Sequence, residues 1–197
     1  MVFQKELKRK IENYCNNHLP NNCWYENEFS FIKNKSLKKR VIEEFKATRF
    51  AYKVYEGIGA TDENLRFEVR NQLIAYASIY EVVIKYTLQT YYPEEYSKLE
   101  HNNKKNKKYK NRFVSFKSLC YQAQKLGLIH EFVNSEGKKV NFTKELVEIY
   151  KHRNNVHIMQ ENEDNFKYKL ELSKKAYRRM RPFVDQIKEK LLRDKKL

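Results

Sequence analysis

The 197-residue chain contains only four glycines and three prolines. Sandwiches and barrels need these residues in their many tight turns, so their scarcity argues against a turn-rich all-β fold. Charged residues make up 34% of the chain and apolar residues 41%, which is typical of a soluble helical protein. The length is sufficient for one well-buried domain.

Cysteines are also few, and they follow no pattern. Cys15, Cys23 and Cys120 form an odd and scattered set, unlike the paired framework of small secreted domains. Cys15 and Cys23 with His18 lack the spacing of zinc ligands, so we expect no metal and no other cofactor. The charged start of the chain and the absence of a long apolar run predict a cytoplasmic protein that does not enter membranes.

Negative charge is in short supply, because 41 Lys and Arg face 25 Asp and Glu and leave a net charge of +16. A basic surface of this size attracts polyanions, and RNA is the partner that we expect. The abundance of Lys, Asn, Tyr and Ile is also what an AT-rich genome encodes, so part of the charge has a purely compositional explanation.

Apolar residues recur every three or four positions along most of the chain, which predicts helices over 2–16, 62–92, 115–126, 142–157 and 164–193. Residues 28–55 fit one long helix or a broken one. Gly57 and Pro93 are expected helix ends, Gly127 an expected C-cap, and Pro182 an expected kink or break. The pattern predicts an all-α helical bundle in a single domain 1–197, with N-terminal helices in 1–58 and a core bundle in 62–195.

The helix over 62–92 is apolar on several sides. Such a helix is usually central and is covered by several neighbours or by a second subunit. The stretch 101–112, by contrast, is basic and has no apolar period, so we expect a mobile loop there. It is either a solvated linker or an RNA contact, in which Tyr109 offers a stacking surface. Its lysines considered for RNA binding are Lys104, Lys105, Lys107, Lys108 and Lys110.

The segment 150–158 concentrates an arginine, an amide and a histidine near the end of a helix. Arg153 falls on the apolar stripe of Leu146 and Ile149, and His157 lies one turn beyond it. A guanidinium at such a position needs a carboxylate, a phosphate or an interface groove. Arg153 and His157 either hold one phosphate or are structural, with Glu81 as the candidate partner of Arg153; spacing alone slightly favours the structural interpretation. His130 and His152 are interpreted as ordinary surface or loop histidines.

Together, Arg153, Asn154 and His157 resemble the signature of the HEPN superfamily, in which an arginine followed by a polar residue precedes a histidine. The interval from Asn154 to Val156 is one residue shorter than the usual minimum of the family. Residues 76–81 with Lys85 resemble the early core helix of the family, and residues 126–129 also fit, so the likeness covers about 62–190.

The resemblance implies a helical homodimer that cleaves RNA without a metal ion, in a toxin–antitoxin or anti-phage defence system and with an antitoxin or defence protein as partner. Arg153 would then bind the scissile phosphate, His157 would act as general base or acid, Asn154 would orient either group and Glu81 would fix Arg153. The basic stretch and the last helix, with Arg178, Arg179 and Arg181, would attract the RNA backbone. Two other classes stay open: a non-catalytic nucleic-acid-binding protein, and a dimerisation or partner-binding module.

Overall fold

The computed structural model describes residues 4–105, 114–134, 136–154 and 168–197. This part of the chain contains eight helices and one small antiparallel sheet, so the prediction of an all-α bundle is confirmed. The elements are α1 (Lys5–Asn17), α2 (Asn22–Glu28), α3 (Lys35–Gly57), α4 (Asp62–Tyr91), α5 (Pro93–Lys105), α6 (Phe116–Lys125), β1 (Phe132–Val133), β2 (Lys139–Val140), α7 (Phe142–Asn154) and α8 (Leu170–Arg193).

Helix α4 lies at the centre of the bundle, in contact with α3, α5, α6, α7 and α8. Its buried side chains occupy several faces and include Leu73, Tyr76, Tyr80 and Ile84. Helices of the same chain therefore account for the apolar pattern of α4, and its burial does not require a second subunit. Within the described ranges, no helix is both long and apolar enough to cross a membrane.

The helix predicted over 28–55 begins later than expected, because α3 starts only at Lys35 and then continues unbroken to Gly57. Helix α2 ends at Glu28, and a short non-helical segment with the buried side chains of Phe29, Phe31 and Ile32 follows. Asn34 then caps α3, because its side-chain oxygen accepts a hydrogen bond from the backbone N–H of Leu37 at 3.0 Å. Burial of the connecting segment ties the N-terminal helices to the rest of the bundle.

Strands β1 and β2 form a hairpin, and the C-cap predicted at Gly127 precedes it. Gly127 has a φ of +72° after the end of α6, a conformation that side chains with a Cβ rarely adopt. The N–H of Leu128 reaches back to the carbonyl of Ala123 at 2.9 Å and closes this C-cap. Before α7, the Asn141 side chain accepts from the N–H of Lys144 at 2.9 Å, which fixes where α7 begins.

The loop predicted over 101–112 is wrong in its first residues. Helix α5 continues to Lys105, so residues 101–105 are helical rather than part of a loop, while 106–112 lie outside the described residues. At Pro182, where a kink or a break was predicted, helix α8 continues without a break. Proline removes one backbone hydrogen bond there, and the buried side chains of Phe183, Val184 and Ile187 hold the following turns against the bundle.

Candidate active site

Arg153 lies in the last turn of α7, where the helix meets α4. Its Nη1 donates a hydrogen bond to Oε2 of Glu81 at 2.9 Å, so the pairing predicted for these two residues is present. Both side chains are 31% exposed. A carboxylate thus fixes the guanidinium while part of the side chain still reaches the surface, and this arrangement allows an anion to bind.

Tyr150, one turn before Arg153, shares the same carboxylate. Its hydroxyl donates to Oε1 of Glu81 at 3.2 Å, and its ring stacks on Phe116 of α6 with centroids 4.4 Å apart. Burial, and then the charge of Glu81, raise the pKa of Tyr150, so the phenol stays protonated and keeps donating. The Arg153 guanidinium carbon lies 5.0 Å from the centre of the Tyr150 ring. Glu81 therefore holds Tyr150 and Arg153 in one arrangement.

The remaining residues of the signature follow Arg153 directly. Asn154 is the last residue of α7 and is exposed, so its amide is accessible to a ligand. His157 lies outside the described residues. The arrangement of Arg153 and His157 around one phosphate accordingly stays a prediction.

His152 is a candidate that the sequence interpretation missed, since the structure places it half-buried rather than on the surface. Burial lowers the pKa of His152; Glu148 opposes this effect, and Lys151 and Lys175 add to it. The imidazole is therefore neutral at pH 7. Its position three residues after Ile149 was a usable signal, because that spacing returns a helix to its buried side.

The lowered pKa of His152 predicts a loss of stability in mild acid. The ordinary value for histidine is 6.5, so below about pH 6.5 the unfolded chain binds a proton that the folded chain binds only at lower pH. We expect the free energy of unfolding, measured with urea between about pH 7.5 and pH 5.5, to fall more steeply in wild type than in His152→Gln. His130→Gln, which changes an exposed histidine, should keep the wild-type slope. Equal slopes in wild type and His152→Gln would contradict this assignment.

The three arginines of α8 considered for RNA binding differ in their surroundings. Arg179 Nε donates to Oε2 of Glu145 at 2.5 Å, and its side chain is only 12% exposed. This pairing leaves Arg179 unsuited to the RNA contact predicted for it. Arg181 is 73% exposed and lies 3.7 Å from Asp185, and Arg178 is also exposed, so these two remain accessible.

A groove of about 740 Å³ runs between the hairpin and α8. Side chains of α8 line one wall and are mainly cationic, with Glu171 among them; the hairpin lines the other wall with the largely exposed Val133 and with Glu136. A mainly cationic wall that faces a partly apolar one can contact both the backbone and the bases of a nucleic-acid strand. The cationic residues of this groove are Lys174, Lys175, Arg178 and Arg179, of which Lys175 and Arg179 pair with Glu145.

The predicted basic contacts in 101–112 are described only in part. Lys104 and Lys105 are the last two residues of α5, and their side chains lie outside what the structure describes. Lys107, Lys108 and Lys110 lie outside the described residues altogether. An RNA contact by this stretch stays a prediction.

Metal-ligating residues do not gather in the described part of the chain. In the ranges given above, no group of three or more His, Cys, Asp and Glu side chains could hold a metal ion. Cys15 and Cys120 are buried free thiols, and Cys23 is an exposed one.

Comparison of the chain with protein-family models, with curated proteins and with solved structures finds no match.

Proposed function

We propose that this protein is an endoribonuclease of HEPN type in which Arg153 binds the scissile phosphate. The observation that carries the proposal is the contact of Arg153 with Glu81. A guanidinium held by one carboxylate is oriented before any ligand arrives, and such preorganisation is what stabilises charge in a transition state. Asn154 and His157, which follow within four positions, supply the amide and imidazole that RNA cleavage uses.

In the proposed reaction, His157 removes the proton from a ribose 2′-hydroxyl, and the oxygen attacks the adjacent phosphorus. The new bond closes a 2′,3′-cyclic phosphate while the bond to the 5′-oxygen breaks, and that oxygen takes a proton from an imidazolium to become a 5′-hydroxyl. Arg153 stabilises the charge on the phosphoryl oxygens, and Asn154 orients the phosphate or the imidazole. No metal ion or other cofactor takes part in these steps.

Charge supports RNA as the substrate. The net charge of +16 favours a polyanion, and the exposed cations of α8 continue that charge along the groove beside the hairpin. By likeness to the family, we also propose a homodimer in which two motifs meet in one cleft, and a place in a toxin–antitoxin or anti-phage system with an antitoxin or defence protein as partner. These parts rest on the resemblance of the segment 150–158.

A second candidate function is non-catalytic binding of nucleic acid. The groove between the hairpin and α8 favours it, because its cations would attract a strand whether or not Arg153 and His157 react with it. The two functions predict the same salt-dependent affinity. They differ only in whether the bound RNA is cut.

The deciding experiment incubates total RNA and tRNA with the protein in excess EDTA and compares wild type with His157→Ala and Arg153→Ala. We expect wild type to produce fragments with cyclic phosphate and 5′-hydroxyl ends, and both folded variants to produce none. Binding of the same RNA should weaken steeply as salt is raised, because each phosphate contact releases a counterion.

Other results would select another function. Tight binding without cleavage by wild type would favour the nucleic-acid-binding protein. Neither binding nor cleavage, together with loss of dimer in Arg153→Ala, would favour an interaction module. Cleavage that persists in both variants would place the chemistry elsewhere in the chain.

A further inference from the structure

Arg49 of α3 is a buried cation that forms no ion pair with a carboxylate of the described residues. Only 9% of the residue is exposed, and no carboxylate of the described residues lies within ion-pair distance of it. Its Nε–H, fully buried, has no hydrogen-bond partner among those residues either. Burying a guanidinium in this state is costly, so the position calls for an anion that the described part of the chain does not provide.

Two tyrosine rings contact the guanidinium but provide no acceptor for its Nε–H, and the hydroxyl of Tyr76 also interacts with the guanidinium. The Arg49 guanidinium carbon lies 3.7 Å from the centre of the Tyr177 ring and 5.0 Å from that of Tyr52. These cation–π contacts offset part of the desolvation cost. A ring face accepts none of the in-plane N–H groups of arginine in the way that an oxygen does, so the need for an acceptor remains.

Arg49 also lines a cavity of about 190 Å³ between α3 and α8. Three further cations and a single carboxylate share this cavity, and the carboxylate, Glu56, already accepts from Lys53 at 2.5 Å. The charge of the lining is therefore strongly positive. Its cationic members are Arg49, Lys53, Lys174 and Arg178. A cavity this small admits a phosphate group, but not a folded strand of nucleic acid.

A second cavity of about 220 Å³ adjoins the first and shares Tyr52, Glu56 and Lys174 with it. Its other lining is mainly apolar or aromatic, with Tyr55, Leu65 and Leu170, and the buried polar side chains of Glu68 and Gln72 also line it. Flat apolar walls with a few polar groups suit a nucleobase. A phosphate site beside such a cavity has the layout of a mononucleotide site.

We propose that the cavity at Arg49 binds the phosphate group of a small phosphate monoester, with a nucleoside 5′-monophosphate as its source and the base in the adjoining cavity. The guanidinium donates to the phosphate oxygens, and Lys174 and Arg178 close over them from α8. This site is built by α3 and α8 rather than by α4 and α7. It does not depend on RNA cleavage by Arg153.

The test is calorimetric titration of the full chain with AMP, with inorganic phosphate and with adenosine, in chloride buffer of constant ionic strength. We expect AMP to bind, adenosine to fail, and Arg49→Gln to weaken AMP binding about tenfold or more. Because Arg49 is buried and its variant can fail to fold, Lys174→Ala at the half-buried edge of the cavity serves as a second variant and should weaken AMP binding severalfold. Lys39→Ala on α3, whose side chain is 77% exposed, is the matched control and should bind as wild type does.

The titrations with AMP and with inorganic phosphate distinguish the two possible sources of the bound phosphate group. AMP bound more tightly than inorganic phosphate identifies the nucleotide, and equal affinities identify free phosphate as the ligand of the same site. The proposal is overturned if neither binds, or if both bind equally well to folded Arg49→Gln and Lys174→Ala. RNA cleavage is measured separately, so its presence or absence does not alter the interpretation of the titrations.

Discussion

Replacing Arg153 with alanine is expected to reduce the rate of RNA cleavage by about 100- to 1,000-fold, the usual loss when one preorganised donor to the transition state is removed. The fold should survive. Arg153 is 31% exposed, so its ion pair adds at most about 1 kcal/mol to stability, and Glu81 keeps its hydrogen bond from Tyr150. Cleavage of a fluorogenic RNA and thermal unfolding, measured on the same preparation, separate the two effects.

The matched control for this prediction is Lys151→Ala. Lys151 is an exposed cation in the same last turn of α7, so its variant loses the same charge without losing the contact to Glu81. It should weaken RNA binding slightly and keep most of the cleavage rate. Arg153→Lys tests geometry instead of charge, because lysine lacks the planar fork that can bind a carboxylate and a phosphate together. A folded Arg153→Ala that cleaves as fast as wild type would make the pair with Glu81 purely structural.

Glu81 should act through Arg153 and not on RNA itself. Glu81→Gln keeps the shape of the side chain but removes the charge that holds the guanidinium, and we expect about a 10- to 100-fold loss of cleavage from misplacement of Arg153. In the double variant with Arg153→Ala, the loss should be no larger than in Arg153→Ala alone, since the two changes remove one function. Additive losses would show that Glu81 has a separate role.

The sequence predicted those features that depend on short stretches of chain. Most helix positions and the C-cap at Gly127 follow from local spacing and backbone chemistry. Glu81 could be proposed as the partner of Arg153, because Arg153 interrupts an apolar stripe and Glu81 lies at the edge of the apolar face of α4. The need of a half-buried guanidinium for a carboxylate can be inferred from the sequence pattern alone.

Other features depend on neighbours that are distant in sequence. Arg179 belongs to a basic cluster in the sequence and was assigned to RNA, yet Glu145 on α7 neutralises it. Arg49 follows Phe45 by four positions on the buried side of α3, but its contact with Tyr177 on α8 depends on the fold and could not be predicted from local spacing. The extension of α5 to Lys105 was missed because a basic run without apolar spacing carries no periodicity, although lysine itself favours helices.

Phe45→Ala is expected to cause the largest loss of stability. Phe45 is 1% exposed and lies at the centre of an aromatic cluster that joins α2, α3, α4 and α8. The centroid of its ring lies between 5.7 and 6.3 Å from those of five other rings. Truncation of a buried phenylalanine costs about 3–5 kcal/mol, because the cavity collapses only in part. For a chain of this length the melting temperature should fall by roughly 6–20 °C. The rings in contact with Phe45 are those of Trp24, Tyr25, Phe29, Tyr76 and Tyr177.

The same variant tests whether residues 1–58 and 62–195 form one domain. If the cluster joins them, Phe45→Ala should lower a single cooperative transition, seen alike by circular dichroism and by the fluorescence of Trp24, the only tryptophan. Tyr121→Ala, at a 54% exposed aromatic residue of α6, should change stability by no more than about 0.5 kcal/mol. Two separate transitions, with only the earlier one displaced by Phe45→Ala, would mean that the N-terminal helices unfold independently and that the single-domain prediction is wrong.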